Sequence, residues 1–365
     1  MCSSDLSIPS HAAVNETVEL AARLEKRQWT GMINGVLRAI DRSIGDEFTD
    51  AAAADAVPLA DGRFRKLKQP VFPDPAVEFA AYVSQAFSYP GWMIKRWTRR
   101  FEPTEVQRLA FWFNAPTNPF LRVNLLKSDG QKTLDVLRDE GIESSLGALP
   151  ESIRLDARVR VDALNGLKAG YFSIQDESAM LAVDLLDPQP GETILDLCAA
   201  PGTKTAHIAE RMQNSGTIIA TDVQPDRLTR ITGNCHRLGL SIVQATPIER
   251  DGRDIPDGPF DAILVDVPCS NTGVLGKRPE VRWRLSSMDF YELPVIQLRL
   301  LEAAAKRLKP DGRLVYATCS IEPEENREIT TAFLGQNPRF HLAEERLHIP
   351  GQPADGGYQA LIRRD

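Results

Sequence analysis

The sequence predicts an α/β protein with a mostly parallel, doubly wound sheet in its C-terminal half and a smaller helical and α+β region before it. From about residue 171, short apolar runs recur in the order ETILDLCAA, TIIATDV, DAILVDVP and GRLVYATC. Helical sequence follows each run, which is the strand–helix–strand rhythm of a parallel sheet. Before residue 171 this rhythm is missing, and helical periodicity with isolated strands predominates.

The composition is that of a globular protein: of 365 residues, 42% are hydrophobic and 25% are charged. The net charge of -7 argues against a protein that coats nucleic acid through bulk charge, although local basic patches remain compatible with it.

No secretory leader and no apolar run of membrane-spanning length is found, so we expect a cytoplasmic protein without membrane contact. The five cysteines lack zinc-site spacing and a secretory context, so we expect neither a metal nor a disulfide framework.

The N-terminal part is predicted to contain three segments. Residues 1–45 have apolar side chains at helical spacing, and two amphipathic helices are expected with a break near Trp29. Residues 46–70, rich in Ala and Asp, are predicted to be a linker. Residues 71–170 read as a small helical and α+β unit for RNA binding, with the basic cluster KRWTRR, and residues 171–365 form the sheet domain.

In open parallel sheets, ligands bind at the carboxyl ends of the strands, so the residues that follow each strand are the candidates for function. The first strand is followed by CAAPGTKT (198–205), where Ala199, Ala200 and Gly202 are small enough for a ligand to approach the backbone. The loop does not match GxGxxG, which weakens a dinucleotide-binding interpretation. Asp222 follows the second strand, where an acidic residue can bind ribose hydroxyls.

The third and fourth strands each run into a cysteine, Cys269 beside Asp266 and then Cys319. Each feature alone has an ordinary structural interpretation. A buried cysteine at a strand end usually packs as a small hydrophobe, Asp222 could cap a turn, and AAPGTKT could be a tight turn. Four such loops at one edge of one sheet, two of them carrying thiols, favour an active site.

Three stretches, DLCAAPGTKT, DVPCSNTGV and YATCSIEPEEN, together resemble the Sun/NOP-type family of RNA cytosine-5 methyltransferases, which use S-adenosylmethionine. The resemblance continues to the closing strand DGGYQALI. Upstream, NETVELAARLEKRQWTGMINGVLR is similar to the end of the NusB-like domain of the bacterial, RsmB-like 16S ribosomal RNA branch, and YPGWMIKRW and LRVNLLK are similar to its middle region. The resemblance implies that residues 171–365 are a Rossmann-like class I methyltransferase domain.

The resemblance also implies a reaction and its residues. Cys319 would be the nucleophile that adds to carbon 6 of cytosine, which makes carbon 5 able to accept a methyl group. Asp266 would hydrogen-bond the base near nitrogen 3, and Cys269 would assist release of the methylated RNA. The expected substrate is 16S ribosomal RNA, with transfer RNA as the alternative.

By the same resemblance, S-adenosylmethionine would contact the loop after the first strand, Asp222 through its ribose, Asp251 on its adenine side, and Asp266. The loop residues implied are Cys198, Ala199, Ala200, Pro201, Gly202, Thr203 and Lys204.

A basic and aromatic segment, GKRPEVRWR, follows the first of the two thiols and suits phosphates and an unpaired base. Its candidate RNA contacts are Lys277, Arg278, Arg282, Trp283 and Arg284, and a solvated surface loop explains the same residues equally well.

We expect a monomer. The rival functions are a catalytically idle RNA-binding assembly factor, a nicotinamide-dependent dehydrogenase, and a DNA cytosine methyltransferase in which Cys269 would be the nucleophile.

Overall fold

The computed structural model describes residues 9–156, 159–161, 164–249, 252, 254–351 and 354–365. The chain divides into two compact units, 1–116 and 117–365. Among the described residues, no helix has the length and apolar character needed to cross a membrane.

The first unit contains five helices and a small sheet among its described residues. Their bounds are α1 Ser10–Arg23, α2 Thr30–Ser43, β1 Ile44–Thr49, β2 Ala56–Pro58, β3 Phe64–Leu67, α3 Phe79–Ala86, α4 Gly91–Trp97 and α5 Pro103–Asn114. The two amphipathic helices expected before residue 45 are thus observed as α1 and α2. The strands form an antiparallel sheet in the order β1-β3-β2.

This small sheet corrects the linker predicted for residues 46–70. Phe64 on β3 is fully buried, and its ring packs edge-on against Phe87 and Phe111. Ala and Asp dominate the local composition, so the buried residues of these short strands are few. Strands held by contacts with residues distant in the sequence leave little periodicity of their own.

The second unit begins with a four-stranded antiparallel sheet in the order β5-β6-β4-β7. Its elements are β4 Phe120–Val123, α6 Gly130–Asp139, β5 Ser144–Leu146, β6 Ser152–Leu155, α7 Asn165–Lys168 and β7 Phe172–Ile174. The sequence predicted one unit over 71–170. The structure instead assigns residues up to 116 to the first unit and the rest to the second.

The main sheet of the second unit has seven strands in the order β10-β9-β8-β11-β12-β14-β13. The first five are mutually parallel, and β14 is antiparallel to both of its neighbours. The elements are α8 Glu177–Leu186, β8 Thr193–Leu197, α9 Thr203–Arg211, β9 Thr217–Asp222, α10 Pro225–Leu238, β10 Val243–Pro247, β11 Phe260–Asp266, α11 Val281–Arg284, α12 Asp289–Ala305, β12 Leu308–Thr318, α13 Arg327–Gln336, β13 Phe340–His348 and β14 Gly357–Arg364.

Both faces of this sheet are covered by helices, which confirms the predicted doubly wound fold. Along β8, Ile194 belongs to the core formed with α8, α9 and α10, whereas Leu195 belongs to the core formed with α12 and α13. Burial on both faces explains why the strands read as continuous apolar runs. Strand order reverses between β8 and β11, so the carboxyl ends of these strands form the crevice where ligands bind in such sheets.

Candidate active site

The loop after β8 is shaped by its backbone. Cys198 has a φ of 65° and Gly202 a φ of 93°, and Ala199 donates its N–H to the carbonyl of Thr221 on β9 at 2.7 Å. A Cβ atom on Gly202 would lie 3.0 Å from the Cα atom of Ile231, so glycine is required both by φ and by space. Helix α9 begins at the next residue and directs its first amides toward the crevice.

Asp222, at the end of β9, lies beside this loop and is 3% exposed. Its Oδ2 accepts the N–H of Ala200 at 3.2 Å, and its Oδ1 accepts the N–H of Gln224 at 3.0 Å. A carboxylate oxygen can accept more than one hydrogen bond, so Asp222 is fixed in place and retains acceptor capacity for a diol. This is the position predicted for the residue that binds a ribose.

Asp196, near the end of β8, is a residue of this crevice that sequence reasoning missed. It is fully buried, its Oδ2 accepts from Thr205 Oγ1 at 2.6 Å, and its Oδ1 has no hydrogen-bond partner among the described residues. Burial raises its pKa to about 7, and the negative charges of Asp266 and Asp222 add to that effect. Three carboxyl groups therefore converge on the loop, and a cationic ligand would relieve their repulsion.

Asp266, at the end of β11, is joined to the loop by an ion pair with Lys204, whose Nζ lies 2.7 Å from Oδ2. Burial acts to lower the pKa of Lys204, but the attraction of Asp266 outweighs it, so the pKa is raised and the ammonium form is kept. About a third of the Asp266 side chain is exposed, so it can also reach a ligand in the crevice. The loop after β8 and the carboxylates beside it fit S-adenosylmethionine, which carries a ribose diol, a sulfonium and an ammonium group.

The two predicted thiols meet at the ends of neighbouring strands. Cys269 Sγ and Cys319 Sγ are 3.1 Å apart, and Asn271 Oδ1 lies 3.3 Å from Cys319 Sγ. The hydrogen bond to Cys319, together with burial, raises the pKa of Cys269 well above its usual value. The two sulfurs are therefore in direct contact, and the protonated form of Cys269 is favoured. Asn271 was not among the site residues predicted from the sequence.

The residues of the predicted RNA segment differ in exposure and in pairing. Lys277 is exposed and lies 2.5 Å from Asp176 and 2.8 Å from Asp355, and Arg282 is 5% exposed. Arg278 is exposed and donates to Asn271 Oδ1 at 2.9 Å. Trp283 and Arg284 are exposed and lie on the short helix α11. The predicted adenine contact, Asp251, lies outside the described residues.

The fold and this site define a class I, S-adenosylmethionine-dependent methyltransferase. Family descriptions match the chain in three places: the NusB family over residues 2–42, the RsmF/B-like ferredoxin-like domain over 89–162, and 16S rRNA methyltransferase RsmB/F over 183–361. The chain belongs to this RsmB/F family and is an RNA methyltransferase with S-adenosylmethionine as its cofactor.

Individual relatives agree with that assignment. The chain is 37% identical to the ribosomal RNA small subunit methyltransferase B of Salmonella typhi, over 97% of this chain and 75% of the relative. A solved methyltransferase homologue from Pyrococcus horikoshii is 27% identical, with a TM-score of 0.70, over 80% of this chain and 100% of that one. NSun6 from the same organism, solved with SFG, is 21% identical with a TM-score of 0.67 over 74% and 97% of the two chains, and shows a shared fold.

Proposed function

We propose that this enzyme methylates carbon 5 of a cytosine in 16S ribosomal RNA through a covalent adduct between Cys319 and the base. The observation that carries the proposal is the thiol pair, with sulfurs 3.1 Å apart at the ends of adjacent strands, following Asp266 in the same crevice. If the cysteines only packed in the core, neither a second thiol in contact with the first nor a carboxylate beside them would be needed. The relatives named small subunit methyltransferase B support the choice of RNA.

The chemistry follows from the weakness of carbon 5 as a nucleophile. Addition of the Cys319 thiolate to carbon 6 places electron density on carbon 5 and makes nitrogen 3 basic enough to take a proton from water. That proton balances the charge of the ring, and the Asp266 carboxylate accepts a hydrogen bond from the resulting N–H. Bound S-adenosylmethionine supplies an electrophilic methyl group to carbon 5. Lys204 keeps Asp266 oriented through their ion pair.

The contact between the two sulfurs underlies the proposed order of the thiol steps. Before addition, the hydrogen bond to Cys319 and burial hold the pKa of Cys269 high, so Cys269 stays a protonated thiol. Once Cys319 is bound to carbon 6, its sulfur is a neutral thioether and no longer opposes a negative charge on Cys269. Cys269 then gives its own proton to solvent and, as a thiolate, removes the proton on carbon 5. The released electron pair forms the carbon 5–carbon 6 double bond and expels Cys319 as the thiolate.

The RNA would approach over the exposed residues Trp283 and Arg284, which offer an aromatic face for an unpaired base and a cation, with Arg278 beside them bonded to Asn271. The target cytosine must be unpaired or flipped, because carbon 6 is unreachable inside a duplex. Because ribosomal RNA is found in the cytoplasm, we also propose a cytoplasmic enzyme. Transfer RNA remains the alternative substrate, and an idle RNA-binding assembly factor is the alternative function.

The test compares three single variants of the full chain, Cys319→Ala, Cys269→Ala and the control Cys235→Ala, with the wild type. Cys235 is a buried cysteine of α10 that packs in the sheet core. Each protein is incubated with 16S ribosomal RNA and S-adenosylmethionine labelled on its methyl group, then separated on a denaturing gel. We expect labelled free RNA from wild type and control, and a slow-migrating labelled protein–RNA band from Cys269→Ala.

Cys319→Ala should give neither product, with a loss of methylation on the order of 10⁴-fold or more, as when other enzymes lose their nucleophile. Methylation that survives in Cys319→Ala would refute the adduct. A trapped band in Cys319→Ala in place of Cys269→Ala would reverse the two roles. Label on transfer RNA alone would overturn the ribosomal substrate, and no label on either RNA would favour the idle binder.

A further inference from the structure

Each of the two thiols is followed by a serine, and both serines hold the same buried carboxyl group. Ser270 follows Cys269, Ser320 follows Cys319, and both hydroxyls donate to Glu325 Oε2. We propose that Glu325 is a positioning residue that sets the separation of the two sulfurs. This inference deepens the proposed function, because a fixed separation is what lets Cys269 act on an adduct formed by Cys319.

Glu325 accepts hydrogen bonds from both turns and from a neighbouring helix. Its Oε1 accepts the backbone N–H of Ser270 at 2.8 Å and Gln297 Nε2 at 3.0 Å, while Oε2 accepts the two serine hydroxyls. Four donors thus fill the acceptor positions of one carboxylate. Such an arrangement suits the ionised form, since a protonated carboxyl would leave one of the donors without an acceptor.

The burial of Glu325 makes these contacts energetically important. The residue is fully buried, and burial raises its pKa while the serine and glutamine donors oppose that rise. A buried charged group is costly unless it is fully hydrogen-bonded, so the fold is strongly biased toward keeping all four donors in place. The two thiol-bearing turns are thereby tied to a single group.

Further contacts hold Glu325 against the sheet and against α12. Tyr316 on β12 donates its hydroxyl to the Glu325 carbonyl at 2.6 Å, which fixes the backbone. Gln297 on α12 donates its Nε2 both to Glu325 and, at 2.9 Å, to the carbonyl of Pro268. The Ser270 and Ser320 hydroxyl oxygens are also 3.1 Å apart. The serine pair therefore repeats, one residue further along, the spacing of the cysteine pair.

The experiment measures the thiol separation chemically in the full chain, with neither RNA nor S-adenosylmethionine present. Diamide, a two-electron oxidant that takes up both thiol hydrogens and is reduced to a hydrazine, joins Cys269 to Cys319. In a parallel sample iodoacetamide alkylates the accessible thiols, and the rate is followed on the peptide that carries Cys319. Peptide mass spectrometry gives both rates, and their ratio reports proximity independently of the reactivity of Cys319.

In Glu325→Gln we expect the ratio of crosslinking to alkylation to fall about tenfold or more, because proximity effects are lost with displacements near 1 Å. The matched control is Glu328→Gln, which makes the same change at an exposed carboxyl on α13 and should leave the ratio within about twofold of wild type. The same result for both variants would overturn the proposal.

Two milder variants keep the test decisive if Glu325→Gln fails to fold. Ser270→Ala and Ser320→Ala each remove one hydroxyl donor and should each lower the ratio about threefold, as expected for one lost hydrogen bond. Ratios unchanged in both folded serine variants would refute the positioning role. A lowered ratio in an enzyme whose wild type methylates no RNA would instead retain the positioning role and reject the proposed function.

Discussion

The two sides of the crevice are built differently. The cofactor side, from Cys198 to Lys204 with Asp222, is shaped by backbone: two positive φ values, N–H groups bonded to strand carbonyls and carboxylates, and a glycine that packs on Ile231. The thiol side is shaped by side chains, since Cys269 and Cys319 depend on serines that converge on Glu325. The ion pair of Lys204 with Asp266 joins the two sides.

Because the two sides are built differently, they tolerate different substitutions. A backbone-shaped loop depends on residues with little or no side chain, so insertion of an atom disturbs it. A side-chain network depends on matched donors and acceptors, so loss of one atom disturbs it. We therefore expect damage on one side to leave the other side largely intact. The first of the three predictions below tests that independence, and the other two test how each side is built.

The largest effect is expected from Asp222→Asn, which should weaken binding of S-adenosylmethionine about 10- to 100-fold. A charged acceptor for the ribose contributes about 1.5–3 kcal/mol, and the neutral amide retains only part of it. Isothermal titration calorimetry measures the affinity, with Asp226→Asn as the control because Asp226 is exposed on the first turn of α10.

The independence of the two sides is refuted if Asp222→Asn also lowers the ratio of crosslinking to alkylation at the two thiols. An equal loss of affinity in Asp226→Asn would attribute the effect to overall charge and not to ribose binding.

A smaller effect is expected from Gly202→Ala, which should reduce the free energy of unfolding by about 1–2 kcal/mol. The φ of 93° disfavours any residue with a Cβ, and that atom would press on Ile231. Urea unfolding measures the change. The control is Gly233→Ala, because Gly233 lies within α10 with open space around its Cβ position.

Gly233→Ala should be neutral or stabilise the protein by up to about 1 kcal/mol, since alanine favours helices over glycine. If the two variants behave alike, the loop does not depend on its glycine, and the description of the cofactor side as backbone-shaped is wrong.

The smallest effect is expected from Arg284→Ala, at the exposed edge of the thiol side. Loss of one phosphate contact should weaken binding of 16S ribosomal RNA about threefold and reduce the slope of log affinity against log salt by about 0.7. Filter binding at several KCl concentrations gives both values. Lys277→Ala is the control, since its ammonium group is paired with Asp176 and Asp355.

Lys277→Ala should leave the salt slope unchanged and lower the thermal unfolding temperature, because Asp355 is buried and loses its cation. A slope reduced by Lys277→Ala as much as by Arg284→Ala would mean that Lys277 leaves its carboxylates to bind RNA.

The sequence alone predicted the parallel sheet, and it placed Asp222, Asp266 and the two cysteines at one edge of it as candidate site residues. The reason is topological: apolar runs followed by helices specify parallel strands, and parallel strands bring their carboxyl ends to one edge. The same logic applies to the small residues of the loop from 198 to 204, whose function depends on local backbone.

Which side chains meet is visible only in the folded chain. The convergence of Ser270 and Ser320 on Glu325, the burial of Asp196, and the pairing of Lys277 each join residues that no local periodicity connects. The strands between 44 and 67 were missed for the same reason, since they depend on Phe64 packing against distant rings. Hydrogen-bond partners are set by which elements pack together, and spacing along the chain does not encode that choice.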